Sequence, residues 1–266
     1  MTLDSLTTMT CTIEDGLARV TLARPERGNP IDAAFCRELR ELAGVFSSQS
    51  NVRAVLLTAA PGKAFSVGGD IKSFVTDRAA LPKLVLDWTA DLHLALARLQ
   101  RMNAPVVCAV NGAVAGGSVS LAASCDVVYA SETSSFASAF ASIGFSADSG
   151  STLTLSTRMG LQRAKRFVLM AEVLTAGEAR DAGLVDFVLP AADVAAAAEA
   201  TARALAAGPT RAYGGIKRTF LSARTGSLES QLEEEAQTLS ALSATDDAWE
   251  GLMSFTQRRK PNFTGR

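Results

Sequence analysis

Two glycine-bearing turns are the segments whose residue types could do chemistry. The first covers residues 64–71 (AFSVGGDI) and the second covers residues 111–118 (NGAVAGGS), and each follows an apolar run of strand length. A strand that ends in glycine and leads into a helix leaves backbone N–H groups pointing outwards, where they can hold an anion or a developing oxyanion. Neither turn contains the Gly-Lys-Ser/Thr of a phosphate loop or the GxGxxG of a dinucleotide fold. Taken singly, such turns are more often simple loop ends than binding sites.

One histidine and one aspartate are the side chains of most interest outside these turns. His93, the only histidine, lies one residue past Leu92 at the edge of an apolar helical stripe, where a histidine is more often a packing residue. Asp148 precedes Ser149-Gly150, where its carboxylate would cap the helix that starts near Gly150. The residues alone therefore favour structural roles for both, and acid–base roles stay open.

The elements that position these residues follow an α/β pattern, with strands and helices alternating up to about residue 190. Alternation around Asp15-Gly16 predicts a hairpin with a type I′ turn, and Asp32 is a good N-cap for the next helix. Strands are predicted at residues 8–13, 17–22, 52–58, 106–110, 127–130 and 185–189. Further helices are predicted at 82–101, 161–170 and 176–182, and then, in an all-helical last quarter, at 191–207, 210–222, 228–242 and 246–257.

Composition excludes several classes of protein. The 266 residues are 48% hydrophobic and 20% charged, and 26 Lys+Arg against 27 Asp+Glu give a net charge of -1, so nothing in the total charge attracts nucleic acid. Four separated cysteines and one histidine rule out a Cys/His zinc site and favour reduced thiols in the cytoplasm. No stretch is long and apolar enough to span a membrane, and the N-terminus is unlike a signal peptide.

Taken together, the two glycine turns resemble those of the crotonase, or enoyl-CoA hydratase/isomerase, superfamily. The resemblance continues in order along nearly the whole chain. The further segments that carry it are RPE (24–26), CD (125–126), residues 174–185 and FTQRRKPNF (255–263). It implies a spiral of ββα units over residues 1–190 and a C-terminal helical region, 191–266, that assembles trimers or dimers of trimers. It also implies an acyl-CoA thioester substrate whose carbonyl oxygen lies between the N–H groups of Gly69 and Gly117.

Departures from the family pattern bear on the reaction. Hydratases of this family carry two glutamates, and Ser120 and Phe140 stand at the matching positions here. Hydration must activate a water and also protonate the α-carbon, work that two carboxylates share. Ordinary enoyl-CoA hydration is therefore not expected.

A carboxylate does stand slightly further on, at Asp148, where two branches of the family place a functional aspartate. Residues 140–150 (FASIGFSADSG), with the tail around 216–217 and 263–266, look most like the ring-1,2-epoxyphenylacetyl-CoA isomerases. The other branch, the 4-chlorobenzoyl-CoA dehalogenases, keeps a catalytic histidine where His93 falls. That branch also carries a tryptophan where this chain has Phe140.

The sequence thus predicts an acyl-CoA isomerase in which Asp148 moves a proton and an enolate forms between Gly69 and Gly117, with no metal or other cofactor. The alternatives are a hydrolase of the dehalogenase type, with Asp148 as nucleophile and His93 as base, and a non-catalytic CoA-ester-binding or RNA-binding homologue. The residues that the resemblance places against CoA or the acyl group are Arg24, Ala64, Ser66, Gly69, Asp70, Ile71, Phe140, Phe263 and Arg266.

Overall fold

Two β-sheets organise the computed structural model, which describes residues 5–266. Residues 1–4, part of the N-terminal stretch considered above, lie outside the described residues. The strands are β1 (Met9–Glu14), β2 (Leu17–Leu22), β3 (Ala54–Ala59), β4 (Ala64–Ser66), β5 (Val106–Val110), β6 (Ala113–Ala115), β7 (Val127–Ser131), β8 (Ser135–Ala137), β9 (Val173–Thr175) and β10 (Phe187–Leu189).

The larger sheet has the order β1-β2-β3-β5-β7-β10 and is parallel except for the β1–β2 hairpin. Asp15 and Gly16 both have positive φ, +51° and +81°, as a type I′ turn requires. The smaller sheet has the order β4-β6-β8-β9, with β4, β6 and β8 parallel and β9 antiparallel. Each of β3, β5 and β7 is therefore followed by a short strand of the second sheet, which gives the chain its repeated ββα course.

Seven helices match the predicted ones to within one residue at each end, and four were not given both ends in advance. They are α1 (Ala33–Ser48), α2 (Ile71–Phe74), α3 (Leu81–Arg101), α4 (Gly117–Ala123), α5 (Ser151–Met159), α6 (Leu161–Leu169), α7 (Ala176–Asp181), α8 (Ala191–Ala206), α9 (Thr210–Ser222), α10 (Leu228–Ser243) and α11 (Asp246–Thr256). As predicted, Asp32 caps α1, since its carboxylate accepts a hydrogen bond from the Phe35 N–H at 3.0 Å. No helix in the described part of the chain is long and apolar enough to cross a membrane.

Both faces of the larger sheet are covered, which explains why its central strands read as unbroken apolar runs. All five residues of β5 are buried. One face packs against α1 and α3, and the other receives α8, whose buried side chains recur every four residues as Val194, Ala198, Ala202 and Ala206. Small side chains at this spacing let the helix approach the sheet closely. The last strand ends at Leu189, near the predicted division after residue 190. Helix α8 lies beyond this division but still completes the core. A separate role for residues 191–266 stays a prediction.

Candidate active site

Three loops meet at one edge of the smaller sheet. They follow β4, β6 and β8, which are parallel neighbours, so their carboxyl ends lie side by side. The first two loops carry the glycine turns, and the third carries Asp148. All three, together with α1, α2 and α3, line a cavity of about 830 Å³. The topology thus brings together segments that are up to eighty residues apart in the sequence.

The first turn directs the Gly69 N–H towards the cavity. Ile31 bridges this turn: its N–H donates to the Gly68 carbonyl at 2.8 Å, and its carbonyl accepts from the Asp70 N–H at 3.0 Å. Because bonding groups alternate along an extended chain, the intervening Gly69 N–H points to the opposite side. No described residue accepts a hydrogen bond from it. Gly68 has φ +82°, and a Cβ there would lie 2.6 Å from the Ala115 carbonyl oxygen, so the close approach of the two turns requires glycine.

The second turn presents the Gly117 N–H at the start of α4. The first N–H groups of a helix have no acceptor within it. Within residues 5–266 the Gly117 N–H also has no acceptor outside it, and Gly117 lines the cavity with Gly69. Two N–H groups on neighbouring loops of one apolar cavity are the arrangement that stabilises a developing oxyanion.

Asp148 does not cap α5, so the capping interpretation of its carboxylate is wrong. The residue at the start of that helix is Gly150, which has no side chain to offer, and Ser151 N–H donates to the backbone carbonyl of Asp148 at 3.0 Å. The Asp148 carboxylate lies instead in the cavity, 36% exposed. Its Oδ1 is 2.6 Å from His93 Nε2.

His93 is likewise not a packing residue. The apolar stripe of α3 buries Trp88, Leu92, Ala95, Leu96 and Leu99, and His93 lies to the side of it with half of its side chain exposed. The helical step of about 100° per residue turns it from the core towards the loop that carries Asp148. The structure thus joins the predicted catalytic carboxylate to the one histidine, for which the sequence left packing and a role in the site both open.

The two positions at which hydratases carry glutamate hold no acid. Ser120 is fully buried in α4, and no described residue contacts its Oγ through a hydrogen bond. Phe140 lines the cavity and is 8% exposed. Of the described residues that line the cavity, only Cys36, His93 and Asp148 are titratable. Burial raises the pKa of the Cys36 thiol to about 12, so this thiol stays protonated and is a poor nucleophile at neutral pH.

Four aromatic rings form part of the rest of the cavity wall. The ring of Phe74 lies 5.2 Å from that of Trp88 and 5.8 Å from that of Phe145, measured between centroids, and both pairs are tilted. Such geometry is favourable for aromatic pairs. With Phe140 these rings make an apolar surface within the cavity.

The residues expected along CoA lie near the first turn, but several of their side chains already have partners. Arg24 donates to Asp32 Oδ2 at 2.6 Å and to the Pro30 carbonyl. Burial alone would raise the pKa of Asp32, but hydrogen bonds from Arg24 and a backbone N–H outweigh it and lower this pKa. Asp70 accepts from Arg27 at 3.1 Å. These contacts are compatible with a role in shaping the turn, and contact with CoA phosphates stays a prediction.

Ala64 and Ser66 are buried in β4, whereas Ile71 is 47% exposed. The Ser66 hydroxyl donates to a backbone carbonyl at 2.7 Å, so any contact with CoA at Ala64 or Ser66 would use the backbone. At the chain end, the Phe263 carbonyl accepts from Arg53 at 3.0 Å, and the Arg266 side chain is exposed. Contact of these two with a neighbouring subunit's ligand stays a prediction.

Ser149 is a residue of this site that the sequence reasoning passed over. It is buried, lines the cavity, and its hydroxyl donates to Asp148 Oδ2 at 3.3 Å. The signal available in the sequence was its position between Asp148 and Gly150, in a stretch with strong turn character.

Comparisons with known proteins agree with the fold and identify the family. The model of the family described as enoyl-CoA hydratase/isomerase matches residues 12–266. A probable enoyl-CoA hydratase of Rhodobacter capsulatus is 35% identical over 254 residues, 96% of each chain. The 1,2-epoxyphenylacetyl-CoA isomerase of Escherichia coli is 34% identical over 257 residues, 96% of this chain and 97% of the relative.

Among solved structures, a crystal structure of an enoyl-CoA hydratase/isomerase from Mycobacterium abscessus superimposes with a TM-score of 0.89. It is 31% identical and covers 97% of this chain and 100% of its own. A family model matches almost the full chain, and relatives are above 30% identity. The chain therefore belongs to the enoyl-CoA hydratase/isomerase family, the crotonase superfamily.

Proposed function

We propose that this protein is an acyl-CoA isomerase. It shifts a double bond close to the thioester by moving a proton from one carbon to another. The observation that carries the proposal is the position of Asp148. Its carboxylate is the only one among the described cavity-lining residues, and it shares the cavity with the unpaired N–H groups of Gly69 and Gly117. Both glutamate positions of hydratases are occupied by residues without acid–base capacity, Ser120 and Phe140.

The proposed reaction balances with one carboxylate. The thioester oxygen accepts from Gly69 and Gly117, which acidifies the neighbouring C–H. Asp148 removes that proton, the electron pair moves into an enolate, and the oxyanion is held by the two N–H groups. The same proton then returns to another carbon as the double bond shifts. Nothing is added or lost, so neither a second acid nor a cofactor beyond the CoA of the substrate is needed.

The Escherichia coli relative supports this choice by its name, an isomerase, and the Rhodobacter relative has a hydratase name. The chemistry of the residues supports the isomerase. A hydratase must polarise a water for attack at the β-carbon, and the cavity offers one carboxylate with which to do so.

The second candidate is a hydrolase of the dehalogenase type. The contact of 2.6 Å between His93 and Asp148 favours it. In that reaction Asp148 would attack an aryl carbon, halide would leave, and water activated by His93 would cleave the resulting ester. Against it, the neighbouring tryptophan of that branch is replaced by Phe140. A CoA-ester or RNA binder without activity ranks third, because a net charge of -1 offers no general attraction for RNA and a binder would not need Asp148.

We further propose that the protein acts in the cytoplasm as a trimer or a dimer of trimers. The support is a set of large apolar side chains on the last helices with exposures between 60% and 85%, namely Phe220, Trp249, Leu252 and Phe255. Large apolar side chains with this exposure are common at subunit interfaces. Sedimentation of the purified protein would test the assembly.

A panel of 2-enoyl-, 3-enoyl- and aryl-CoA esters tests the reaction itself. Each ester is incubated with the protein, and the product is followed by mass and by ultraviolet absorbance. The isomerase proposal predicts an unchanged mass with an altered spectrum. A product heavier by one water would contradict the isomerase proposal and favour a hydratase. Release of halide from a halobenzoyl-CoA would favour the second candidate.

A further inference from the structure

The hydroxyl of Ser149 connects the carboxylate of Asp148 to the second glycine turn. It donates to Asp148 Oδ2 at 3.3 Å. On its other side, the same Oγ lies 2.7 Å from the point that a Cβ on Gly117 would occupy. One buried hydroxyl therefore bonds to the acid–base group and fills the space beside the residue that supplies an oxyanion donor.

The backbone at Ser149 is in a conformation that favours glycine. Its φ is +57°, in the left-handed region, where a side chain costs free energy relative to glycine. In the same loop Gly144 and Gly150 also have positive φ, +73° and +70°, and there the sequence does use glycine. A serine at this position keeps a strained backbone and gains a hydroxyl inside the cavity.

With Ser149 included, both oxygens of Asp148 have partners. Oδ1 is bound by His93 at the exposed side of the cavity, and Oδ2 by Ser149 at the buried side. A carboxylate held at both oxygens has one orientation rather than two. Proton transfer between carbons depends on that orientation, since small misplacements of a catalytic group cost large factors in rate.

We infer that Ser149 is a positioning residue that fixes Asp148 relative to the oxyanion hole formed by Gly69 and Gly117. The inference rests on the proposed function, because it assigns Ser149 a task only if Asp148 moves a proton. A Cβ on residue 117 would displace this hydroxyl. Ser149 acts through Asp148 and does not itself exchange a proton with the substrate.

Two substitutions separate the hydroxyl from the backbone strain. Ser149→Gly removes both, whereas Ser149→Ala removes the hydroxyl and keeps the strain. The matched control is Ser142→Ala, an exposed serine of the same loop outside the cavity lining. The assay is exchange of the α-protons of phenylacetyl-CoA in deuterium oxide, followed by mass, because it needs only the base and the oxyanion hole.

We expect both Ser149 variants to lose about tenfold in the maximal exchange rate, the lower end for a hydrogen bond to a charged group. The concentration of phenylacetyl-CoA that gives half of that rate should not change, and Ser142→Ala should match the parent. The melting temperature of Ser149→Gly should exceed that of Ser149→Ala although both lose the same activity, a combination that a merely structural role would not produce.

Asp148→Asn distinguishes the failure of this inference from the failure of the proposed function. If the parent exchanges protons, Asp148→Asn does not, and both Ser149 variants exchange at the parental rate, the positioning role is wrong and the proposed function stands. A role of Ser149 in folding alone would make the exchange rate follow the melting temperature. If the parent does not exchange, or Asp148→Asn exchanges normally, the proposed function and this inference are both overturned.

Discussion

Replacement of His93 by alanine separates the isomerase from the hydrolase. In the isomerase His93 only orients Asp148, so its loss should reduce turnover modestly. In the hydrolase it activates the water that frees the enzyme, so its loss should trap an ester on Asp148. The two accounts differ both in the size of the effect and in whether a covalent species appears.

The exposure of the two side chains sets the expected size. His93 is 50% exposed and Asp148 36% exposed, so water and salt weaken their interaction. Exposed pairs contribute about 0.2–1 kcal/mol. If all of that free energy were lost from the transition state, turnover would fall by at most about fivefold. His93→Gln, which keeps an N–H donor near the position of Nε2, should recover part of this loss.

The assay is the intact mass of His93→Ala protein after mixing with 4-chlorobenzoyl-CoA and with each ester that the parent converts. We expect no mass increase. An adduct on His93→Ala that disappears when Asp148→Asn is added would refute the isomerase account. A fall in turnover of a thousandfold or more would also contradict the modest role assigned to His93.

Three further predictions concern the oxyanion hole and the stability of the fold. Gly117→Pro removes a donor N–H, and proline is tolerated at the first position of a helix. Its turnover should be about 10²–10³-fold below that of Gly117→Ala, which adds the same Cβ and keeps the N–H. Equal turnover in the two variants would show that this N–H takes no part in the mechanism. The side chain of Lys217 is 9% exposed, donates to two backbone carbonyls and pairs with a carboxylate at 2.8 Å. Lys217→Met should therefore lower the free energy of unfolding, measured by urea titration, by about 2 kcal/mol. The control Lys83→Met, at an exposed lysine, should change it very little. Burial alone would raise the pKa of Glu38, but hydrogen bonds from two threonine hydroxyls and two N–H groups outweigh it and lower this pKa below 4.5. The resulting stabilisation is present above pH 4.5 and is lost as the pH falls through the lowered value. The difference in the free energy of unfolding between the parent and Glu38→Gln should therefore shrink at low pH, and a constant difference would contradict this.

The larger sheet and most of the helices were predictable, because their apolar patterns extend over four or more residues. The second sheet was not, because β4, β6, β8 and β9 have three residues each. Three residues cover too few repeats for a period of two to emerge, and glycines adjoin some of these strands. Yet this sheet positions the three loops of the site, so the sequence could identify the glycine turns without showing what brings them together.

The roles of Asp148 and His93 illustrate a second limit. Helical periodicity placed His93 at the edge of a stripe, where a rotation of a few tens of degrees decides between the core and a cavity. The capping interpretation of Asp148 failed because Ser149 and Gly150 both adopt positive φ, +57° and +70°, and direct the carboxylate away from the helix that follows. Positive φ at a serine is uncommon, and local sequence gives little warning of it.

The most direct test of the central claim uses a 3-enoyl-CoA that carries deuterium at its α-carbon. The claim is that Asp148 takes this nucleus and returns it to another carbon of the same molecule while Gly69 and Gly117 hold the enolate. We predict a 2-enoyl-CoA product with part of the label at the γ-carbon, no added water, and a rate that falls about 10²–10⁴-fold in Asp148→Asn. A hydrated product, or an undiminished rate in Asp148→Asn, would contradict the account.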